Sequence, residues 1–335
     1  MMSPQKSLFS ASPFLLSRRE ALRVGAVSLF LPSLITSPRA SAAPLAFPSA
    51  KTVILLWMSG GLSHVDTFDP KPGADRTIRG PFDAIRTNAD GLQISDRLPR
   101  LARHAASYAI LRGVSHGEGG HERAAHLVLT GHSPASTQIF PNFGAVLSQA
   151  DASISLLSSS RPKQTAAERK SEENYGDTAF GRACLTARRE AEQGVPFIQV
   201  PLMGWDLHSD HFSRLQNDLL PALDAGVSAM LGDLEARGLL ESTLVVCMGE
   251  FGRSPRTNGN RLPGRDHWPA AASVLLAGGG IRGGQVFGAT DGDGMAPLEF
   301  AIHPQDILAT IYHLAGISAL PAFSEPGRVL REICR

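Results

Sequence analysis

Cysteine, charge of one sign and long apolar runs are all scarce in this sequence. Its 335 residues hold three cysteines, Cys184, Cys247 and Cys334. An odd number without metal-type spacing excludes a disulfide framework and a cysteine-based metal motif. Cys247 sits within an apolar run and is expected to pack as a small hydrophobe. The formal net charge is +1, which leaves no basic face on which nucleic-acid affinity would rest. No apolar run reaches the ~18 to 20 residues that a bilayer span requires. Low-complexity tracts are absent too, and with 43% hydrophobic and 19% charged residues the chain has enough apolar surface for a packed core.

The near-zero charge hides an asymmetry. Residues 1–42 carry Lys6, Arg18, Arg19, Arg23 and Arg39 against Glu20, a local charge of +4, which leaves residues 43–335 at −3. Ser17-Arg18-Arg19-Glu20 precedes an apolar run from Val24 to Ile35, and Ala40-Ser41-Ala42 follows. This is the layout of an export signal with a small-residue cleavage site, and the paired arginines point to the twin-arginine machinery as a partner. The alternative is a membrane anchor or amphipathic helix, but Gly25, Ser28 and Pro32 interrupt the run. The expectation is a signal peptide over 1–42, one mature domain over 43–335, and a periplasmic or cell-surface location with no membrane span after cleavage.

Beyond a Pro/Ala linker the sequence alternates apolar runs with helical patterns. Strands are expected at 53–58, 108–111, 197–200, 244–248 and 273–277, and helices at 98–107, 124–130, 179–193, 212–237 and 304–315. Such alternation predicts a mainly parallel sheet covered on both faces. Residues 153–174 are Ser-rich and then charged, without apolar period, and read as a surface excursion.

Histidine is the informative residue. Of eleven, eight fall in segments that follow or adjoin predicted strands: His64, His116, His121, His126, His132, His208, His211 and His267. Ligands of open α/β sheets bind outside the carboxyl ends of strands, so these loops are expected to converge. The first carries His64 and Asp66, the second His116 and His121, and the third Asp206, His208 and Asp210, which alternate onto one side of an extended chain. The fourth carries Glu250 and Arg253, and Arg265 to His267 precede the fifth strand. Imidazole with carboxylate and no cysteine suits one or two divalent ions, Zn or Mn rather than Ca. Arg253, and Arg265 beside it, are candidate contacts for an anion, since guanidinium matches phosphate and sulfate oxygens; an ion pair with Glu250 is the other reading of Arg253. His104, His303 and His313 lie on helical patterns and are expected to have no ligand role, while His132 follows a helix stop and suits a cap as well as a ligand.

Taken together, Ser-Gly-Gly-Leu-Ser-His-Val-Asp-Thr-Phe-Asp-Pro-Lys, Ser-His-Gly, Leu-Thr-Gly-His, Gly-Trp-Asp-Leu-His, Gly-Glu-Phe-Gly-Arg-Ser-Pro and Gly-Arg-Asp-His-Trp-Pro resemble a family. It is the twin-arginine-exported, sulfatase-like bacterial family catalogued as domain of unknown function fifteen-oh-one. The resemblance covers nearly the whole chain after residue 17 and implies a branch of the alkaline phosphatase and sulfatase superfamily. The implied fold is a three-layer α/β/α sandwich with metal ligands on loops at one sheet edge. Asp206 and His208 then match one metal site, with His267 completing it. Glu250 stands where a second site has an Asp, and Asp66, with His64, resembles the acid after the first strand. Two departures follow. Where the resemblance calls for a Ser, Thr or Cys nucleophile the sequence has Gly120-His121-Glu122, so His121 becomes nucleophile or general base, or hydrolysis is lost. The stretch near 150–175 is also short for the family, so a substrate-covering insertion is trimmed.

The resulting expectation is an exported metallohydrolase of phosphate or sulfate esters, glycan-linked ones included. A non-catalytic glycan or partner binder is the main rival, and a metal-dependent isomerase or mutase the weaker third.

Overall fold

The computed structural model describes residues 49–135, 138–150, 172–317 and 327–335. The leader expected over 1–42 lies outside the described residues, as does most of the shortened stretch near 150–175. The described residues belong to one unit, Pro44–Arg335.

Strand β1, Thr52–Ser59, is buried along nearly its whole length and sits next to the edge of a six-stranded sheet. Its side chains alternate between two cores, as the two-residue period of a strand requires. Ile54, Leu56 and Met58 pack on one face with residues of α3 (Ala179–Glu192) and α4 (Leu220–Ala236). Val53, Leu55 and Trp57 pack on the other with α2 (Phe143–Ala150) and α5 (Pro304–Leu314). Burial on both faces is why β1 reads as an unbroken apolar run. Cys247 is fully buried in the first of these cores, in keeping with its expected packing role.

The sheet also contains β4 (Tyr108–Val114), β5 (Phe197–Met203), β6 (Thr243–Met248), β9 (Ala272–Ala277) and β10 (Gln285–Phe287), in the order β10-β4-β9-β6-β1-β5. β1 pairs in parallel with β5 and β6, and β10 with β4. β9 runs antiparallel to both β4 and β6. The architecture is therefore a three-layer α/β/α sandwich with a mainly parallel sheet. The reversed strand matters for the site: the segment leading into β9 lies at the same sheet edge as the segments leaving β1, β4, β5 and β6.

Two small hairpin-like pairs decorate the sheet, β2 (Ala84–Arg86) with β3 (Gln93–Ser95) and β7 (Gly252–Arg253) with β8 (His267–Trp268). In the second pair Arg253 faces His267. The helix expected over 98–107 is a 3-10 helix, Leu101–Ser107. The long helix expected from 212 is α-helical at His211–Arg214, π-helical at Leu215–Leu219 and α-helical again through α4. Pro221 stands at the start of α4; it lacks an N–H and its ring crowds the preceding turn, so a widened turn in front of it relieves the clash. Helix α1, His121–Thr130, begins three residues before its apolar pattern does, so that His121 is its first residue. No described helix is long and apolar enough to cross a membrane.

Candidate metal centre

Gly60 brings the loops together. It adopts φ +111°, and a Cβ there would lie 2.4 Å from the Asp206 backbone nitrogen. A residue without a side chain is thus needed for the β1 loop to lie against the β5 loop. The contact is tied by the Trp205 N–H, which donates to the Ser59 carbonyl at 3.1 Å. The Gly60 N–H donates to the Glu250 carboxylate at 3.0 and 3.3 Å, and its carbonyl accepts from Arg253 Nη2.

Around this junction three imidazoles converge on Asp206. His208 Nε2 lies 2.9 Å and His267 Nε2 3.1 Å from Asp206 Oδ1, while His121 Nε2 lies 3.3 Å from Oδ2. His208 Nε2 and His267 Nε2 are 3.1 Å apart. His121, Asp206 and His267 each offer a ligand atom within 4.8 Å of the others, a grouping that can hold a metal ion. All four side chains are partly open to solvent.

Each imidazole is held from behind by its other nitrogen. His121 Nδ1 is 2.6 Å from Glu250 Oε1, His208 Nδ1 is 2.7 Å from Asp266 Oδ1, and His267 Nδ1 is 2.8 Å from the Gly119 carbonyl. These oxygens are acceptors, so Nδ1 is the donor in each ring, and in a neutral ring Nε2 is left with its lone pair toward the cluster. With neutral rings the Nε2 lone pairs meet the Asp206 carboxylate, an arrangement that a cation, whether a ring proton or a metal ion, relieves. The rings stand 2.9 to 3.3 Å from Asp206, near the ~3.3 Å between ligands of a tetrahedral ion, but the set whose ligand atoms all lie within 4.8 Å of one another is His121, Asp206 and His267, with His208 at its side. A carboxylate or carbonyl behind each imidazole is also the usual support of metal-bound histidine. The donor set fits a divalent ion.

Arg253 holds the carboxylate of the cluster. Its Nη2 donates to Asp206 Oδ1 at 2.5 Å and its Nη1 to the Arg265 carbonyl at 3.0 Å. Burial pushes the Asp206 carboxyl up, but the hydrogen bond and charge of Arg253 outweigh this and hold it below the usual carboxylate range.

The sequence-predicted residues thus fall into two groups. Asp206, His208, His267 and His121 come together, with Glu250 and Arg253 directly behind them. His64, Asp66, His116 and Arg265 do not. His64 is fully buried, with Nε2 on the Gly294 carbonyl at 2.8 Å, and burial lowers its pKa so that it packs neutral. Asp66 is also fully buried, and it accepts from Ser63 Oγ at 2.5 Å, Arg265 Nε at 2.7 Å and Arg265 Nη2 at 3.1 Å, with His211 Nε2 at 2.8 Å. His116 Nε2 donates to the Glu250 carbonyl at 2.8 Å, and its Nδ1 accepts the Glu118 N–H at 3.1 Å. It braces the loop and has no nitrogen left for an ion.

The two arginines expected to meet an anion need correction. Both are fully buried. Arg265 spends its donors on Asp66 and on the carbonyls of Ile78, Ser254 and Pro255. The Nη groups of Arg253 are taken by Asp206, Gly60 and Arg265. Glu250, expected at a second metal position, is 3% exposed and is bonded to the Gly60 N–H and His121.

Asp266 and the Gly119 carbonyl, which orient two of the imidazoles, were not among the expected site residues. Asp266 was readable as the neighbour of His267, but its partner is His208, fifty-eight positions away. Among the remaining histidines, His303 caps the N-terminus of α5, and the His132 ring stacks on Phe140 with centroids 3.5 Å apart.

Fold and cluster together define an α/β/α sandwich protein with a His/Asp metal-type centre at the strand-end edge of its sheet. The chain belongs to the family described as Protein of unknown function (DUF1501), whose model matches residues 50–157 and 155–328. No curated protein matches the sequence. Among solved structures, the chain is similar to BT33494S-sulf of Bacteroides thetaiotaomicron, at 12% identity over 85% of this chain and 76% of that one, with a TM-score of 0.48. It is similar to the C-terminal periplasmic domain of EcEptC from Escherichia coli, at 11% identity over 80% and 82%, with a TM-score of 0.45. It is also similar to the PsFucS1 sulfatase from Pseudoalteromonas sp., at 14% identity over 81% and 68%, with a TM-score of 0.42.

Proposed function

We propose that the protein is an exported metal-dependent hydrolase of phosphate or sulfate esters, a branch of the alkaline phosphatase and sulfatase superfamily working in the periplasm or at the cell surface. The observation that carries this reading is the convergence of three Nδ1-anchored imidazoles on Asp206 at a solvent-open sheet edge. His121, Asp206, His208 and His267 would hold the ion, Zn or Mn by the nature of the donors. A bound divalent ion at such a site polarises an ester oxygen and lowers the pKa of water.

The protein's own residues supply the rest. Glu250 and Asp266 keep the His121 and His208 protons on Nδ1. Arg253 fixes the Asp206 carboxylate and offsets the negative charge of Glu250 and Asp266 around it. With its Nε2 committed to the cluster and its Nδ1 to Glu250, His121 serves as a ligand in this reading and not as a free nucleophile or base. The export signal of residues 1–42 remains part of the proposal, with the twin-arginine machinery as its partner.

The His at the start of α1, where the resemblance calls for a hydroxyl or thiol, favours one second reading, a metal-bearing protein that binds anionic glycans without turnover. The test is metal analysis of the purified protein and of an Asp206→Ala/His208→Ala variant, followed by turnover of aryl phosphates, phosphodiesters and aryl sulfates with added Zn or Mn. Metal in the wild type, its loss in the variant and turnover of one ester class support the hydrolase. Metal without turnover leaves the binder, and equal background metal in both proteins ends both readings.

A further inference from the structure

The arginines that face solvent beside the cluster are not those with buried roles. The loop 254–264 is stitched to the cluster on one side and to the turn 75–79 on the other. The Asn258 and Asn260 side-chain amides both donate to the His208 carbonyl, at 2.8 and 2.7 Å. The Asp210 and His211 N–H groups donate to the carbonyls of Leu262 and Pro263. On the far side the Thr257 N–H donates to the Thr77 carbonyl at 2.9 Å, and Arg256 Nη1 donates to Thr77 Oγ1 at 3.0 Å. This ledge presents Arg76, Arg256 and Arg261, all exposed. None of the three has a carboxylate partner within 4.0 Å among the described residues. Of the nearby acids, Asp75 Oδ1 accepts from the Thr77 N–H and hydroxyl and also feels the Arg256 charge, without a direct ion pair, and Asp83 pairs with Arg79.

Residues 43–335 carry −3 overall. Exposed guanidinium groups without direct ion pairs, carried on two adjoining segments of such a body, draw polyanions to that ledge. Guanidinium is suited to sulfate and phosphate oxygens. We propose that the ledge formed by Arg76, Arg256 and Arg261 binds a linear polymer carrying repeated sulfate or phosphate groups, laid along the loop so that one ester reaches the Asp206 cluster. The ester step rests on the hydrolase reading above; the binding of the polymer does not.

The test uses the full chain, fluorescein-labelled dextran sulfate, polyphosphate and neutral dextran, and fluorescence polarisation over a salt series. Dextran sulfate or polyphosphate binds in a salt-dependent manner, the stronger of the two identifying the sulfate or phosphate source, and neutral dextran does not bind. The Arg76→Ser/Arg256→Ser/Arg261→Ser variant binds about ten-fold more weakly, from three exposed pairs each of modest strength, and with a flatter salt dependence. Arg261→Glu, a charge reversal at an exposed side chain with no ion-pair partner among the described residues, weakens binding as well and guards against misfolding of the triple variant. Metal content and any turnover of small aryl esters stay as in the wild type.

Unchanged dextran sulfate and polyphosphate affinity in both variants, or equal binding of neutral dextran, overturns the proposal. Arginine-dependent binding in a protein that turns over no ester leaves the ledge standing and removes the hydrolase. Turnover of small esters with arginine-independent binding does the reverse.

Discussion

Replacing Glu250 with glutamine keeps the shape of the side chain and removes its charge. The carboxylate is 3% exposed, and it takes His121 Nδ1 at 2.6 Å and the Gly60 N–H at 3.0 and 3.3 Å. Glutamine can place its oxygen at the shared position, but its amide nitrogen then stands where the second oxygen faces the Gly60 N–H, donor against donor. What is lost is the charge that makes the His121 Nε2 a strong donor, together with part of the ring's orientation. Loss of such a supporting partner typically weakens metal affinity by about 10- to 100-fold, equivalent to roughly 1.4 to 2.7 kcal/mol.

Asp266 gives the internal comparison, because its bond to His208 is as short, at 2.7 Å, but its side chain is 56% exposed. Water and salt screen that pair, so Asp266→Asn is expected to have the smaller effect. The assay is a competition titration of Zn against a chromophoric chelator with wild type, Glu250→Gln and Asp266→Asn, each checked for an intact unfolding transition. Unchanged affinity in Glu250→Gln, or a larger loss in Asp266→Asn, refutes the reasoning that buried carboxylate support sets the strength of the site.

Three further outcomes are expected. Asp66→Asn leaves the buried Arg265 guanidinium without its counter-charge and costs about 3 to 5 kcal/mol of stability at neutral pH; burial alone would raise the Asp66 carboxyl, but Arg265 and His211 hold it well below the usual range, so urea unfolding should show the penalty above the unfolded carboxylate pKa and its loss in acid. His64 and His211 have pKa values lowered by burial, so the unfolded chain takes up their protons first, and stability should fall as pH drops below about 6.5 by up to roughly 1.4 kcal/mol per pH unit for each ring; a His64→Gln variant with the same slope as wild type would contradict this. Gly60→Ala forces a side chain into a left-handed backbone conformation and against the Asp206 nitrogen, so it should lose at least about 1 to 3 kcal/mol in chemical denaturation and weaken metal affinity at the same time.

Much of the fold was legible because its central strands are buried on both faces. The expected 53–58, 244–248 and 273–277 became Thr52–Ser59, Thr243–Met248 and Ala272–Ala277, since an apolar run between turn residues has few other ways to fold. The direction of β9 was not legible, because residue patterning is the same for either direction. That reversal puts His267 beside Asp206 although it precedes its strand.

The ligand types were readable from the histidine and carboxylate clusters. Their division into residues at the cluster and residues behind it was not. His64, Asp66 and His116 sit in the same loops as other candidates, and only the backbone path decides which side chains turn inward. The arginines show the same limit. Arg253 and Arg265 carry the motif but are buried by carbonyls and carboxylates drawn from distant segments, whereas the exposed Arg256 and Arg261 stand in the same stretch without any motif signal.

The central claim is that His121, Asp206, His208 and His267 together hold a divalent ion. Its most direct test is a crystal structure of the protein as purified, with anomalous diffraction collected on both sides of the Zn and Mn absorption edges. The account predicts one anomalous peak about 2.0 to 2.2 Å from the Nε2 atoms and the Asp206 carboxylate, with Glu250, Asp266 and the Gly119 carbonyl behind the rings. Crystals grown with the metal in excess that show no peak there, or show it beside Asp66 or His116 instead, would contradict it.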